Sequence, residues 1–122
     1  MKKTLVLFFL LISSSLFAQS DIAFKTTSHD FGKIKQHVPA TFVFSFTNTS
    51  SKPVVVEVAT AECGCTTPEY SKAPIMKGKS SDIKVTYNAE SPGEFSKKVT
   101  VKFANILPPI ELTIKGVVEE IK

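Results

Sequence analysis

The 122-residue chain has no tryptophan, only two cysteines and only two histidines, and each shortage removes a class of protein. Without tryptophan or a widely spaced cysteine pair, it lacks the inter-sheet bridge and packed indole that pin antibody-type sandwiches. No G-x-S-x-G, phosphate-cradling glycine loop or H-E-x-x-H occurs, so the signatures of esterases, P-loop nucleotide binders and zinc peptidases are missing. Ser28-His29-Asp30 has the residue types of a hydrolytic triad, but neighbours on an extended chain point apart and cannot relay a proton. Beyond residue 18 no segment shows the 3.6-residue apolar period of an amphipathic helix. The expectation is a protein with no catalytic residues and no cofactor.

Charge excludes little more. The formal charge of +4 includes Lys2 and Lys3, and without those two it falls to about +2. A nucleic-acid binder shows a basic stripe or a higher isoelectric point, so no nucleic-acid partner is expected. Lys97, Lys98 and Lys102 read as a solvated strand face.

The N-terminus is patterned for export. Lys2 and Lys3 precede an unbroken apolar run, Leu5 to Ile12, and Ser13-Ser14-Ser15 leads into Leu16-Phe17-Ala18. This is the layout of a secretory signal peptide with a cut after Ala18. The serines break the run well short of the roughly 20 apolar residues of a membrane span, and no cysteine follows the cut to carry a lipid. Residues 1–18 are thus expected to be a cleaved signal peptide and 19–122 one secreted or periplasmic domain without a stable membrane anchor.

That domain is dominated by period-two alternation. Phe42, Phe44 and Phe46 alternate with residues that are mostly hydroxylic, then Val54, Val56 and Val58 follow. Ile83, Val85 and Tyr87 alternate next, then Val99, Val101 and Phe103, then Ile110, Leu112 and Ile114. Alternate residues share one face of a strand, so each set is assigned to the core. Ile22 to Thr26 and Asp30 to Ile34 read as one short first strand broken by a kink. Turns fall at Asn48 to Pro53, at Gly78 and at Pro92-Gly93, and the last strand opens at Pro108-Pro109. About seven strands at short spacing predict an all-β fold, a single immunoglobulin-like antiparallel β-sandwich. Phenylalanine and β-branched packing must join its sheets. Asn48-Thr49-Ser50 also matches a glycosylation sequon.

The reactive chemistry is concentrated in Cys63-Gly64-Cys65-Thr66. An exported protein folds where thiols oxidise, so the pair reads as a tight disulfide, a redox couple, a soft-metal clip or a structural strand exit. Residues i and i+2 of an extended strand lie near the upper limit of disulfide geometry, which asks Gly64 to relax the backbone into a turn, with Thr66 and Thr67 capping it. Such a short loop gains little entropic stability from a bridge. Two thiolates suit copper(I), and His29 and His37 are the only histidines that could join Cys63 and Cys65. Against an activated thiol stand Glu62 and Glu69 nearby and the absence of a following helix.

Taken together, His29-Asp30-Phe31-Gly32-Lys33-Ile34, Phe44-Ser45-Phe46-Thr47-Asn48, Cys63-Gly64-Cys65-Thr66, Lys77-Gly78-Lys79-Ser80 and Pro92-Gly93-Glu94-Phe95 resemble the bacterial exported family catalogued as domain of unknown function 1573. That family is similar to immunoglobulin-like modules of the pilus-chaperone and major-sperm-protein type. Lys77 stands where a proline is common. The resemblance spans nearly the whole mature chain and implies a sandwich and an envelope location, with no activity attached. The expected role is a non-catalytic binding or scaffold module, meeting an envelope or extracellular protein through loop 63–74 or a sheet edge. The alternative is a thiol-redox or copper-handling protein using Cys63 and Cys65.

Overall fold

The computed structural model describes residues 21–122, so the signal peptide expected at 1–18 and the first residues of the mature domain lie outside the described residues. Eight strands occur among them: β1 (Ile22–Phe24), β2 (Ser28–Lys35), β3 (Ala40–Asn48), β4 (Val56–Ala61), β5 (Thr66–Tyr70), β6 (Ser80–Tyr87), β7 (Gly93–Phe103) and β8 (Ile110–Glu119). They form two four-stranded sheets, ordered β1-β3-β6-β5 and β2-β8-β7-β4. This is the expected all-β sandwich.

Alternation builds it. Phe44 and Phe46, Ile83 and Val85, Val99, Val101 and Phe103, and Leu112 and Ile114 are all buried between the sheets. Each such side chain contributes about 1.5–3 kcal/mol on leaving water. The intervening hydroxyls lie on the outer face and pair across strands: Thr41 with Thr86 at 3.0 Å, Thr47 with Ser80 at 2.8 Å, and Ser45 donating to Asp82 at 2.8 Å. Lys102 and Lys98 meet Glu57 and Glu111 at 3.5 and 3.9 Å. These are exposed pairs of the kind that add little stability.

The structure departs from the sequence-based expectation where alternation is interrupted. The stretch read as one kinked strand is two strands in different sheets. Lys25 N–H still donates to Ser45 of β3 at 3.0 Å, and Thr27 C=O already accepts Thr113 N–H of β8 at 2.8 Å. The crossing keeps the chain's heading, so β2 joins β8 in parallel rather than antiparallel. In β4 a register shift between Val56 and Val58 sends Val58 outward, 39% exposed, and turns Ala59 inward. Val54 lies outside β4 and bridges to Ile75. The last strand begins at Ile110, after a cis Leu107–Pro108 peptide. The segment after Cys65, read as a loop, contains the eighth strand, β5. Where β2 bulges, the carbonyl of Gly32 lies 2.8 Å from where a Cβ on Gly116 would stand, so β8 accepts no side chain there.

Asn48, at the end of β3, is fully buried. Its Nδ2 donates to the carbonyls of Lys52 and Ile75 at 2.7 and 2.9 Å, and its Oδ1 accepts Ser50 N–H and Oγ–H at 2.9 and 2.7 Å. The side chain thereby ties the β3–β4 connection to the segment before β6. The sequon asparagine is thus engaged inside the fold, and its nitrogen is inaccessible to a glycan. Asn48→Ala strands the two carbonyls and is expected to cost about 3 kcal/mol, read as a lower urea midpoint with an unchanged m-value.

Candidate functional site

The two cysteines lie where the chain passes from one sheet to the other. At the end of β4, Glu62 N–H donates to Lys98 C=O at 3.2 Å, while Lys98 N–H is received by the Glu62 carboxylate at 2.8 Å. The side chain thus replaces the backbone acceptor that the departing chain withdraws. A turn follows, closed by Thr66 N–H to Cys63 C=O at 3.3 Å, and Cys65 C=O then accepts Asn88 N–H at 2.9 Å. Cys63 and Cys65 are joined by a disulfide, with Cα atoms 5.3 Å apart, well inside the usual range. The turn shortens the spacing that an extended strand would impose.

Gly64 is not the conformational device the sequence suggested. Gly78 and Gly93 hold φ of +77° and +108°, as turn glycines do, but Gly64 is outside the left-handed region. Beyond the flanking cysteines, a Cβ there would meet nothing within 4 Å. The cysteines are half-buried and Gly64 is exposed. Thr66 is 4% exposed, and its hydroxyl lies 3.8 Å from Cys63 Sγ and 3.6 Å from Cys65 Sγ. Bridged sulfurs carry no hydrogen, so the hydroxyl, with its single proton, is the donor in either contact.

Neighbouring loops are locked onto this turn. Asn88 Oδ1 accepts Glu90 N–H at 3.1 Å. His37 N–H donates to Ala89 C=O at 2.9 Å, Gln36 Nε2 donates to Glu90 C=O at 3.0 Å, and the His37 ring meets the Glu90 carboxylate at 3.1 Å. Gln36 N–H reaches Glu119 C=O at 2.9 Å, and Gln36 Oε1 accepts Ile121 N–H at 3.3 Å. His37 and Ala89 are both left-handed, at φ of 67° and 57°, and Ala89 is buried.

The histidines have other occupations. His29 stacks on Phe42 at 3.8 Å and meets Phe31 edge-on at 4.7 Å, closing β2 over β3. His37 faces Glu90. Among the described residues no three metal-ligating side chains converge. In the bridged form neither sulfur is a thiolate, so a soft-metal clip pertains only to the reduced chain. Glu69 pairs with Lys84 at 3.6 Å. The roles of Thr66 toward sulfur, of Glu62 toward Lys98 and of Ala89 were missed in the sequence. Only Thr66 carried a signal, its place directly after Cys65.

The family model described as "Protein of unknown function (DUF1573)" matches residues 22–118. The chain belongs to this family. Solved structures support the fold. A protein of unknown function from Porphyromonas gingivalis is similar at TM-score 0.69 and 13% identity, over 84% of this chain and 51% of that one. The seventh PapD-like domain of human CEP192 gives TM-score 0.71 at 7% identity, over 84% and 88%. The YadV chaperone gives 0.53 at 17%, over 84% and 53%. The chain therefore spans about half the length of the Porphyromonas protein. No curated protein matches it significantly.

Two outcomes follow from this geometry. Gly64→Ala should shift stability by less than about 0.5 kcal/mol, whereas Gly93→Ala should cost about 1–2 kcal/mol by denaturant titration. Burial pushes the Tyr87 phenol above its ordinary value of 10.0. Tyr87 stacks on Phe95 at 4.0 Å opposite Thr66. The unfolded chain ionises first, so stability is fully present below pH 10 and is lost as pH rises through the raised folded value. Tyr87→Phe should flatten that alkaline decline in the thermal midpoint.

Proposed function

We propose that this domain is an exported, non-catalytic binding module of the bacterial envelope, engaging a protein partner through the disulfide end of the sandwich. The observation that carries this is the pair His37 and Ala89. Each sits in a conformation that costs an L-residue roughly 1–2 kcal/mol, and a backbone hydrogen bond joins them. Connecting loops would ordinarily place glycine at such positions. Strain held by cross-linked loops marks a preorganised surface, which binds without ordering costs. Val38 and Ile121, each 52% exposed, flank it as apolar contacts beside the polar His37–Glu90 pair.

The sheet edges are less suited to strand addition. β1 has three residues, β2 and β4 are bulged, and β5 carries Pro68. The Asn88–Cys65 bond places Cys65, Thr67 and Glu69 toward β6, so Pro68 faces the open edge, where it offers no N–H. Short strands, bulges and proline are the usual protections of edges. Loop 63–74 thus contributes its turn rather than its strand. Export is supported by the Lys2–Ile12 pattern and by a disulfide, which persists in oxidising compartments.

Site-specific photo-crosslinking in the native host tests this. A crosslinker at Val38 should capture an envelope protein, and Ile121→Asp should abolish the product. A product from Leu107 alone, 79% exposed at the opposite end, would sink the assignment. Fractionation should find the chain outside the cytoplasm with residues 1–18 removed.

A further inference from the structure

The bond between Cys63 and Cys65 closes a turn that is already closed. Thr66 N–H to Cys63 C=O and Asn88 N–H to Cys65 C=O hold the backbone on their own. A link between residues two apart removes almost no conformational freedom from the unfolded chain. The bridge is therefore a poor staple. It is well placed for chemistry, being half-buried with an exposed glycine at its centre and open space where that residue's side chain would stand.

We propose that Cys63–Cys65 is a thiol–disulfide exchange site that passes its bridge to the reduced cysteine pair of an exported protein, with the Thr66 hydroxyl stabilising the departing thiolate. The inference is independent of the binding surface above. In the first step a thiolate of the partner attacks one sulfur of the bridge. The Cys63–Cys65 bond breaks as an intermolecular disulfide forms, and the displaced sulfur leaves as a thiolate. The partner's second thiolate then attacks the partner's own sulfur in the mixed disulfide. That closes the partner's bridge and releases the second cysteine as a thiolate. Two electrons pass from partner to Cys63 and Cys65, and the two protons lost by the partner's thiols end on them.

Thr66 is suited to this by position. Its hydroxyl is nearly equidistant from the two sulfurs, at 3.8 and 3.6 Å, so it serves whichever one leaves. A hydrogen bond to a thiolate is stronger than one to a neutral sulfur. The contact therefore tightens as the bond breaks and favours the transition state over the ground state. Glu62, the nearest carboxylate in sequence, keeps its charge and opposes a thiolate, but Lys98 N–H holds it against β7 at 2.8 Å.

The test uses the oxidised mature protein with dithiothreitol as the dithiol, quenched by alkylation and read by intact mass. The comparator is the oxidised free peptide of residues 61–67. The folded protein should exchange about tenfold faster than the peptide, and Thr66→Val should remove most of that advantage without moving the urea midpoint. Thr66→Ser should keep it. A bridge that opens no faster than the peptide's, or only at urea concentrations that unfold the chain, overturns the proposal. A Thr66→Val rate equal to wild type overturns the hydroxyl's part in it. A purely structural Thr66 would instead lower the midpoint and leave the rate alone.

Discussion

Phe46 of β3 meets Phe103 of β7 edge-on with ring centroids 5.2 Å apart, and Phe24 of β1 closes on both at 5.1 and 6.5 Å. Three rings from two sheets thus make one contact, in a sandwich without the disulfide and tryptophan of antibody domains. Ring size sets the gap between the sheets, and every neighbouring inward position must fill that gap with an apolar side chain. A slip of one residue in β3 would expose Phe44 and Phe46 and bury Thr47 and Ser45, so register follows from the same contact. Toward the other end Tyr87 and Phe95 stack at 4.0 Å and repeat the arrangement. The hydroxyl and charge pairs outside are consistent with this inner layer and add little to it.

With the layers held in this way, the two ends are finished by different means. One is closed by Asn48, whose buried carboxamide satisfies every polar group it brings and draws two connections together. Asn105 is left-handed at this end too, at φ of 62°, but asparagine visits that region readily, and a fully satisfied buried network favours a single conformation. The other end is closed by backbone bonds among the Cys63–Thr66 turn, the Asn88–Glu90 loop and the Gln36–His37 loop. It accepts two left-handed non-glycine residues in doing so. A rigid core and a rigid far end allow one end to carry that conformational cost.

Much of this architecture is legible in the residues themselves. Phe44, Phe46, Val85, Val101 and Leu112 could be placed inside because a strand's period of two is local geometry that any window of sequence displays. Val58 could not be placed, because a bulge is a property of the pairing between β4 and β7 and leaves the alternation in β4's own residues intact. The sheet change between Phe24 and Ser28 was read as a kink for the same reason, since only the partner strands differ. Thr66–Tyr70 was read as a loop because Pro68 argues against a strand. It does so correctly for an interior strand, and β5 is an edge. At the site, the cysteine pair was evident from spacing, but Glu62 acts through a backbone group 36 residues away, a distance at which sequence carries no pattern.

Gly64 separates a conformational from a chemical explanation of the motif. Gly78 and Gly93 are accounted for by their dihedrals, and Gly116 by the carbonyl that approaches it. None of these reasons applies between the cysteines, where φ is not left-handed and a Cβ would meet nothing within 4 Å beyond the two cysteines themselves. What glycine supplies there is an exposed position without a side chain between two half-buried cysteines, while Thr66 supplies a buried hydroxyl within 3.8 Å of both sulfurs. An exposed glycine and a buried hydroxyl beside both sulfurs add little to a bridge that itself adds little stability, and both suit the exchange proposed for it.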